Sequence, residues 1–156
     1  LYLDRQYMLG DNLLCAPVLN EEGTAEFYLP EGIWTDIITG EEIRGGRYVR
    51  RTCSYLEMPV LARPNSIITY GAFQSDFEYD YLTDATVTIY QLADGASAQT
   101  SVYDKEANKL MDLTAERAGN TITVTYTKTT QTFKMAVAGT DKCVTADGSG
   151  SVTITL

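Results

Sequence analysis

The chain has 156 residues, of which 44% are hydrophobic, enough to bury a core for one medium domain or two small ones and too many for a disordered tail. A formal net charge of −9 disfavours nucleic acid and anionic membrane surfaces as partners, because affinity for phosphate is carried by cationic side chains. With no histidine, Ser-His-Asp and Cys-His catalysis are excluded, and no window supplies the roughly 20 apolar residues of a spanning helix.

The first element is the run Leu13-Leu14-Cys15-Ala16-Pro17-Val18. It has no polar alternation, the pattern of a strand covered on both faces, as in a parallel sheet flanked by helices. Nothing later in the chain alternates strand with helix to give it neighbours, so residues 1–19 read as a remnant of a larger protein. Cys15, Cys53 and Cys143 are odd in number and widely spaced, with no Cys-x-x-Cys, which suggests neither a zinc knuckle nor a disulfide framework. A reducing, cytoplasmic compartment is the expectation.

From Thr24 onward short strands alternate with turns, the mark of an antiparallel all-β unit. Ala25, Phe27 and Leu29 share one face. Leu29-Pro30-Glu31-Gly32 fits a type I turn, with Ile33 opening the next strand. Thr39-Gly40-Glu41-Glu42 and Gly45-Gly46 punctuate the hairpins expected to follow. Pro59 demotes the stretch from Tyr55 to Leu61 to an edge strand or a bulge. Residues 65–70 close this unit, and near residue 74 the composition shifts. All four prolines, Trp34 and six of the seven arginines precede that point, and all five lysines follow it. The expectation is therefore two small domains, 20–73 and 74–156.

The second domain alternates cleanly. Val87 and Ile89 oppose Thr86, Thr88 and Tyr90, and Ile122, Val124 and Tyr126 oppose Thr121, Thr123 and Thr125. Met111, Leu113 and Ala115 alternate with Asp112, Thr114 and Glu116, and Gly119-Asn120 follows as a two-residue hairpin turn. That favours a strand there over a helix. Asp147-Gly148-Ser149-Gly150 turns the chain into its last strand.

Four stretches together resemble the C-terminal region of glycoside hydrolase family 31, in particular its bacterial α-xylosidases. They are Leu3-Asp4-Arg5-Gln6-Tyr7-Met8-Leu9-Gly10-Asp11-Asn12; Ala16-Pro17-Val18; Phe27-Tyr28-Leu29-Pro30-Glu31-Gly32 with Trp34-Thr35; and Leu61-Ala62-Arg63-Pro64-Asn65-Ser66. The resemblance weakens beyond Tyr70. It implies an all-β chain of two antiparallel β-sandwiches, proximal (20–73) and distal (74–156), preceded in 1–19 by the last strand of a (β/α)8 barrel. It also implies a full-length enzyme that cleaves α-xylosides or α-glucosides by the retaining route, without metal or cofactor.

Retaining cleavage takes two carboxyl groups about 5 to 5.5 Å apart. The family's pair lies on earlier barrel strands, so no catalytic or cofactor-binding residue carries over to this sequence. The implied partners are the catalytic barrel of the same polypeptide and, through it, the glycoside, with contacts between copies as a further role. The alternative is an independent carbohydrate-binding β-sandwich. For it, Phe77, Tyr79 and Tyr81 are the candidate sugar contacts, since pyranose rings stack on exposed aromatic side chains; their other reading is interdomain packing. Asp76, Glu78 and Asp80 alternate with these aromatics, and three carboxylates on one face would hold calcium only if loop carbonyls completed the oxygen shell. Glu21-Glu22 and Glu41-Glu42 read as solvated turn residues.

Overall fold

The computed structural model describes residues 4–72, 80–146 and 148–156, which contain fifteen strands and no helix. The chain divides into two compact units, unit 1 of Leu1–Pro64 and unit 2 of Asn65–Leu156.

Unit 1 holds β1 (Tyr7–Leu9), β2 (Leu13–Cys15), β3 (Thr24–Leu29), β4 (Ile33–Asp36), β5 (Glu42–Arg44), β6 (Arg47–Thr52) and β7 (Val60–Ala62). A five-stranded sheet in the order β1-β2-β7-β4-β5 packs on the two-stranded sheet β3-β6. Period-2 alternation sends Ala25, Phe27 and Leu29 of β3 inward, where they meet Leu14, Ala16, Trp34, Ile43 and Leu61. Each large side chain buried this way contributes about 1.5–3 kcal/mol.

Residues 13–18 are therefore not a parallel barrel strand. β2 pairs antiparallel with β1 on one side and β7 on the other, and Ala16 N–H donates to Pro59 C=O at 3.0 Å. The run is apolar throughout because it is covered on both faces: Leu14 and Ala16 enter the core, while Cys15, on the opposite face of the strand, is also buried. Double coverage was readable from the pattern, but a central antiparallel strand supplies it as well as a helix-flanked parallel one.

Two other expectations change with the topology. Pro59 makes no edge strand of its surroundings. It ends an irregular segment, and β7 starts after it as a central strand paired with β2 and β4. Gly45-Gly46 does not close a hairpin either, since β5 pairs with β4, whereas β6 pairs with β3 in the other sheet. The chain crosses between sheets here just beside the Pro30-Glu31-Gly32 crossover. Gly45 N–H donates to Gly32 C=O and Gly46 N–H to Leu29 C=O, both at 2.8 Å. The approach is so close that a Cβ on Gly45 would lie 1.7 Å from the Pro30 carbonyl oxygen, so only glycine fits.

Unit 2 holds β8 (Ser66–Tyr70), β9 (Thr86–Tyr90), β10 (Ser97–Tyr103), β11 (Lys109–Ala118), β12 (Thr121–Tyr126), β13 (Phe133–Val137), β14 (Cys143–Ala146) and β15 (Ser151–Thr155). Two four-stranded sheets, β14-β13-β9-β8 and β10-β11-β12-β15, share one core. The alternation in β11 and β12 is as read from the sequence, with Met111, Leu113, Ala115, Ile122, Val124 and Tyr126 buried. The two strands meet across Gly119-Asn120, with Ala118 opposite Thr121. Tyr126 meets Phe133 edge-to-face at 5.2 Å.

Residues 65–70 do not close unit 1. They form β8, which pairs with β9 from Ser66–Tyr90 to Tyr70–Thr86 and buries Ile67 in the core of unit 2. Tyr90 is not on a wet face but buried, and its hydroxyl lies 2.6 Å from that of Tyr70.

Candidate functional site

Unit 1 carries a cleft of about 530 Å³ lined by Asp4, Arg5, Pro17, Leu19, Asn20, Glu22, Thr24, Glu26 and Arg50. Gln6 sets its geometry. The Gln6 side-chain amide donates to Tyr28 C=O at 2.9 Å and accepts from Tyr28 N–H at 2.6 Å, standing in for a strand at the edge of β3. This holds the neighbouring Arg5 over β3, where its Nη1 lies 3.1 Å from Glu26 Oε2, while Arg50 Nε lies 3.5 Å from Glu26 Oε1. Asn20 ties the cleft's far loop, accepting from Thr24 N–H at 2.9 Å and donating to Thr24 C=O at 2.5 Å. Along the same outward face, register sets Glu26 opposite Arg50 and Tyr28 opposite Tyr48. The two tyrosines are exposed and meet edge-to-face at 5.2 Å.

A second polar cluster in unit 1 is structural. Asp36 is only 2% exposed, and its Oδ1 accepts from Ile38 N–H at 2.8 Å and Thr39 N–H at 3.0 Å. Its Oδ2 takes Arg51 Nη1 at 2.6 Å, and Arg51 Nη2 reaches Glu41 at 3.1 Å. These bonds lock the β4–β5 turn and satisfy a buried carboxylate. Glu41, read as solvated, is 59% exposed and also pairs with Arg51.

Among the candidates read from the sequence, Phe77 and Tyr79 lie outside the described residues, as do Asp76 and Glu78. Tyr81 is described: it is partly buried and packs against the core of unit 2. Asp80 organises a turn, accepting from Leu82 N–H at 2.8 Å, Thr83 N–H at 3.2 Å, Thr83 Oγ1 at 2.9 Å and the side-chain amide of Gln131. The Leu82 bond is the main cause that holds the Asp80 carboxyl below its ordinary range. No group of three metal-ligating side chains occurs among the described residues.

The Tyr28–Tyr48 pair was not among the preferred candidates. Glu26 and Tyr28 could be read as outward-facing because they alternate with Ala25, Phe27 and Leu29. The partnership with β6 could not, since β6 follows a crossover in place of the expected hairpin.

Two family models account for nearly all of this architecture. The glycosyl hydrolase family 31 C-terminal domain matches residues 1–68, and the C-terminal domain of alpha-xylosidase YicI matches residues 80–156. The chain carries the C-terminal domains of glycoside hydrolase family 31. The first family 31 model runs without a break from residue 1 through unit 1, in keeping with the antiparallel placement of β1 and β2.

The alpha-xylosidase XylQ of Lactiplantibacillus pentosus is 36% identical over 155 residues, which cover 96% of this chain and 20% of XylQ. Two family 31 structures share the fold. A dextranase of Flavobacterium johnsoniae matches 99% of this chain and 27% of its own with a TM-score of 0.82 at 17% identity. An alpha-xylosidase of Xanthomonas citri matches 99% and 20% with a TM-score of 0.75 at 22% identity. The chain thus spans about a fifth of the length of XylQ.

Proposed function

We propose that this chain is the non-catalytic C-terminal part of a retaining α-xylosidase or α-glucosidase, in which unit 1 seats on the catalytic barrel of the same polypeptide and unit 2 extends the scaffold. The observation that carries this reading is the apolar surface of unit 1. Tyr7, Met8 and Leu9 of β1 are all exposed, as are Ile33 and Ile38, and Tyr55 and Leu56 stand almost wholly in solvent. Two of these groups are runs of consecutive residues, Tyr7-Met8-Leu9 and Tyr55-Leu56, and exposed apolar clusters on soluble proteins commonly mark surface that meets a partner.

The Tyr55-Leu56 pair is presented by a built turn. Glu57 N–H donates to Ser54 C=O at 3.1 Å and Ser54 N–H donates to the Glu57 carboxylate at 3.2 Å, so two apolar side chains are held outward from a hydrogen-bonded base. That geometry suits insertion into a neighbouring domain. Turnover would come from the carboxyl pair of the barrel, because interactions made equally in ground and transition states do not accelerate the chemical step.

The test is a chimera in which this chain replaces the C-terminal fifth of XylQ. It is expected to fold and to hydrolyse p-nitrophenyl α-xyloside, to lose thermal stability when Tyr55 and Leu56 are changed to Ser, and to contrast with this chain alone, which should give no turnover. Turnover by the isolated chain, or a chimera indifferent to the Tyr55→Ser and Leu56→Ser changes, would overturn the reading.

A further inference from the structure

We propose that the unit 1 cleft and the Tyr28–Tyr48 pair form one binding surface for a neutral pyranose oligosaccharide. The two features are continuous. Glu26 and Arg50 line the cleft, and they stand two residues along β3 and β6 from Tyr28 and Tyr48 on the same outward face. A ligand filling the cleft therefore reaches the aromatic pair without leaving the sheet.

The lining selects the ligand chemistry. Asp4, Glu22 and Glu26 oppose Arg5 and Arg50, so three carboxylates beside two guanidinium groups repel a phosphate or acidic peptide, and the arginines disfavour a cation. What such alternating planar groups recognise is a neutral ligand with paired hydroxyls, each able to donate to a carboxylate and accept from a guanidinium. Pro17 and Leu19 give an apolar wall, Tyr48 is 61% exposed for stacking, and 530 Å³ falls within the range of about 300–1,000 Å³ typical of small-molecule sites.

A protein partner fits this face less well than it fits the Tyr55-Leu56 turn. Asp and Glu are depleted from protein interfaces, whereas here Asp4, Glu22 and Glu26 line the cleft and Glu26 stands two residues from Tyr28 on the same face. The choice of a saccharide among neutral polyols rests on the proposed glycosidase context.

The experiment is a titration of the 156-residue chain with methyl α-xyloside, isomaltotriose and maltotriose, followed by amide NMR shifts, with inorganic phosphate as a parallel probe. Saturable shifts are expected in residues 17–28 and 47–52 with at least one saccharide and not with phosphate. Tyr48→Ala and Arg50→Ala should each weaken binding about tenfold, while Tyr48→Phe retains it and Tyr103→Ala, an exposed aromatic in unit 2, leaves it unchanged. No saturable shift with any saccharide, shifts confined to unit 2, preferential phosphate binding, or unchanged affinity in a folded Arg50→Ala variant would each overturn the proposal. If Tyr48→Ala fails to fold, Arg50→Ala and Tyr48→Phe decide between the outcomes. The XylQ chimera is a separate measurement: saccharide binding by the isolated chain beside a failed chimera keeps this site and removes the scaffold reading, and the converse result does the reverse.

Discussion

Of the large hydrophobic side chains exposed among the described residues, ten belong to unit 1 and one, Tyr103, to unit 2, although both units are β-sandwiches. Sheet matching accounts for part of the difference: Tyr7, Met8, Leu9 and Ile33 lie on the five-stranded sheet, while Tyr28 and Tyr48 lie on the outer face of the small sheet and Leu19, Ile38, Tyr55 and Leu56 lie between strands. In unit 2 four strands face four, and the shared core draws side chains from every strand. In unit 1 only two strands face five, so the smaller sheet cannot cover the larger one. A balanced sandwich completes itself, whereas an unbalanced one leaves apolar surface to be covered from elsewhere. One family model covers unit 1 and the first part of β8, and the other covers residues 80–156 of unit 2.

The comparison breaks most sharply at Gly45. A Cβ there meets the Pro30 carbonyl oxygen at 1.7 Å, and neither crossover can retreat without losing the Gly45–Gly32 and Gly46–Leu29 hydrogen bonds. Gly45→Ala is expected to cost unit 1 about 4 kcal/mol, among the larger single-site effects. Denaturant unfolding followed separately by Trp34 fluorescence, which reports on unit 1, and by NMR of unit 2 should show the first transition shifted and the second unmoved. If both shift together, the units are not independent folding bodies.

Ile67 tests where the boundary lies. It is buried in the core of unit 2 from a strand that the sequence pattern had assigned to unit 1. Ile67→Ala removes packing worth about 3 kcal/mol. That loss should appear in the unit 2 transition, measured in the same two-probe experiment; a loss seen by Trp34 would return β8 to unit 1.

Alkali should separate the units as well. The Tyr70 and Tyr90 hydroxyls, 2.6 Å apart, are pushed above the ordinary tyrosine range chiefly by burial, and the bond from Tyr90 raises Tyr70 further. Groups whose folded pKa is raised give their full stabilisation below the unfolded value of about 10 and lose it as the pH climbs toward the folded value. Unit 2 is therefore expected to lose stability progressively above about pH 10, and Tyr90→Phe should flatten that loss. An alkaline melting series of the parent and the Tyr90→Phe variant gives the answer, and parallel curves would discard the pair as the cause.

What the sequence revealed and what it concealed follow the same division. Unit 2 was legible because strict alternation in β11 and β12 fixes which face is wet, and Gly119-Asn120 fixes the turn. Unit 1 was legible strand by strand but not in its connections, because a hairpin and a crossover between sheets both place glycine between two strands. Gly45-Gly46 is the second of these, and only the contact with Pro30 distinguishes them. The run at 13–18 reported its double coverage faithfully but said nothing about the direction of its neighbours. The cleft was hidden for a related reason: Arg5 meets Glu26 directly because the neighbouring Gln6 side chain bonds the Tyr28 backbone, an arrangement that leaves no periodic signal.

The smallest expected effect concerns the surface that motivates the comparison. Tyr55 and Leu56 are as exposed in the folded chain as they would be unfolded, so replacing both by Ser removes little burial and should change the stability of unit 1 by no more than about 0.5 kcal/mol. Their turn is kept by Ser54 and Glu57, which the changes leave in place. Exposed apolar groups do, however, favour association, because two such surfaces in contact release water that each alone must order. Sedimentation of the isolated chain should therefore show weaker self-association in the double variant at unchanged melting temperature. A marked drop in melting temperature would mean that the two side chains pack within unit 1 itself, and the contrast between an open unit 1 and a closed unit 2 would then lose its clearest element.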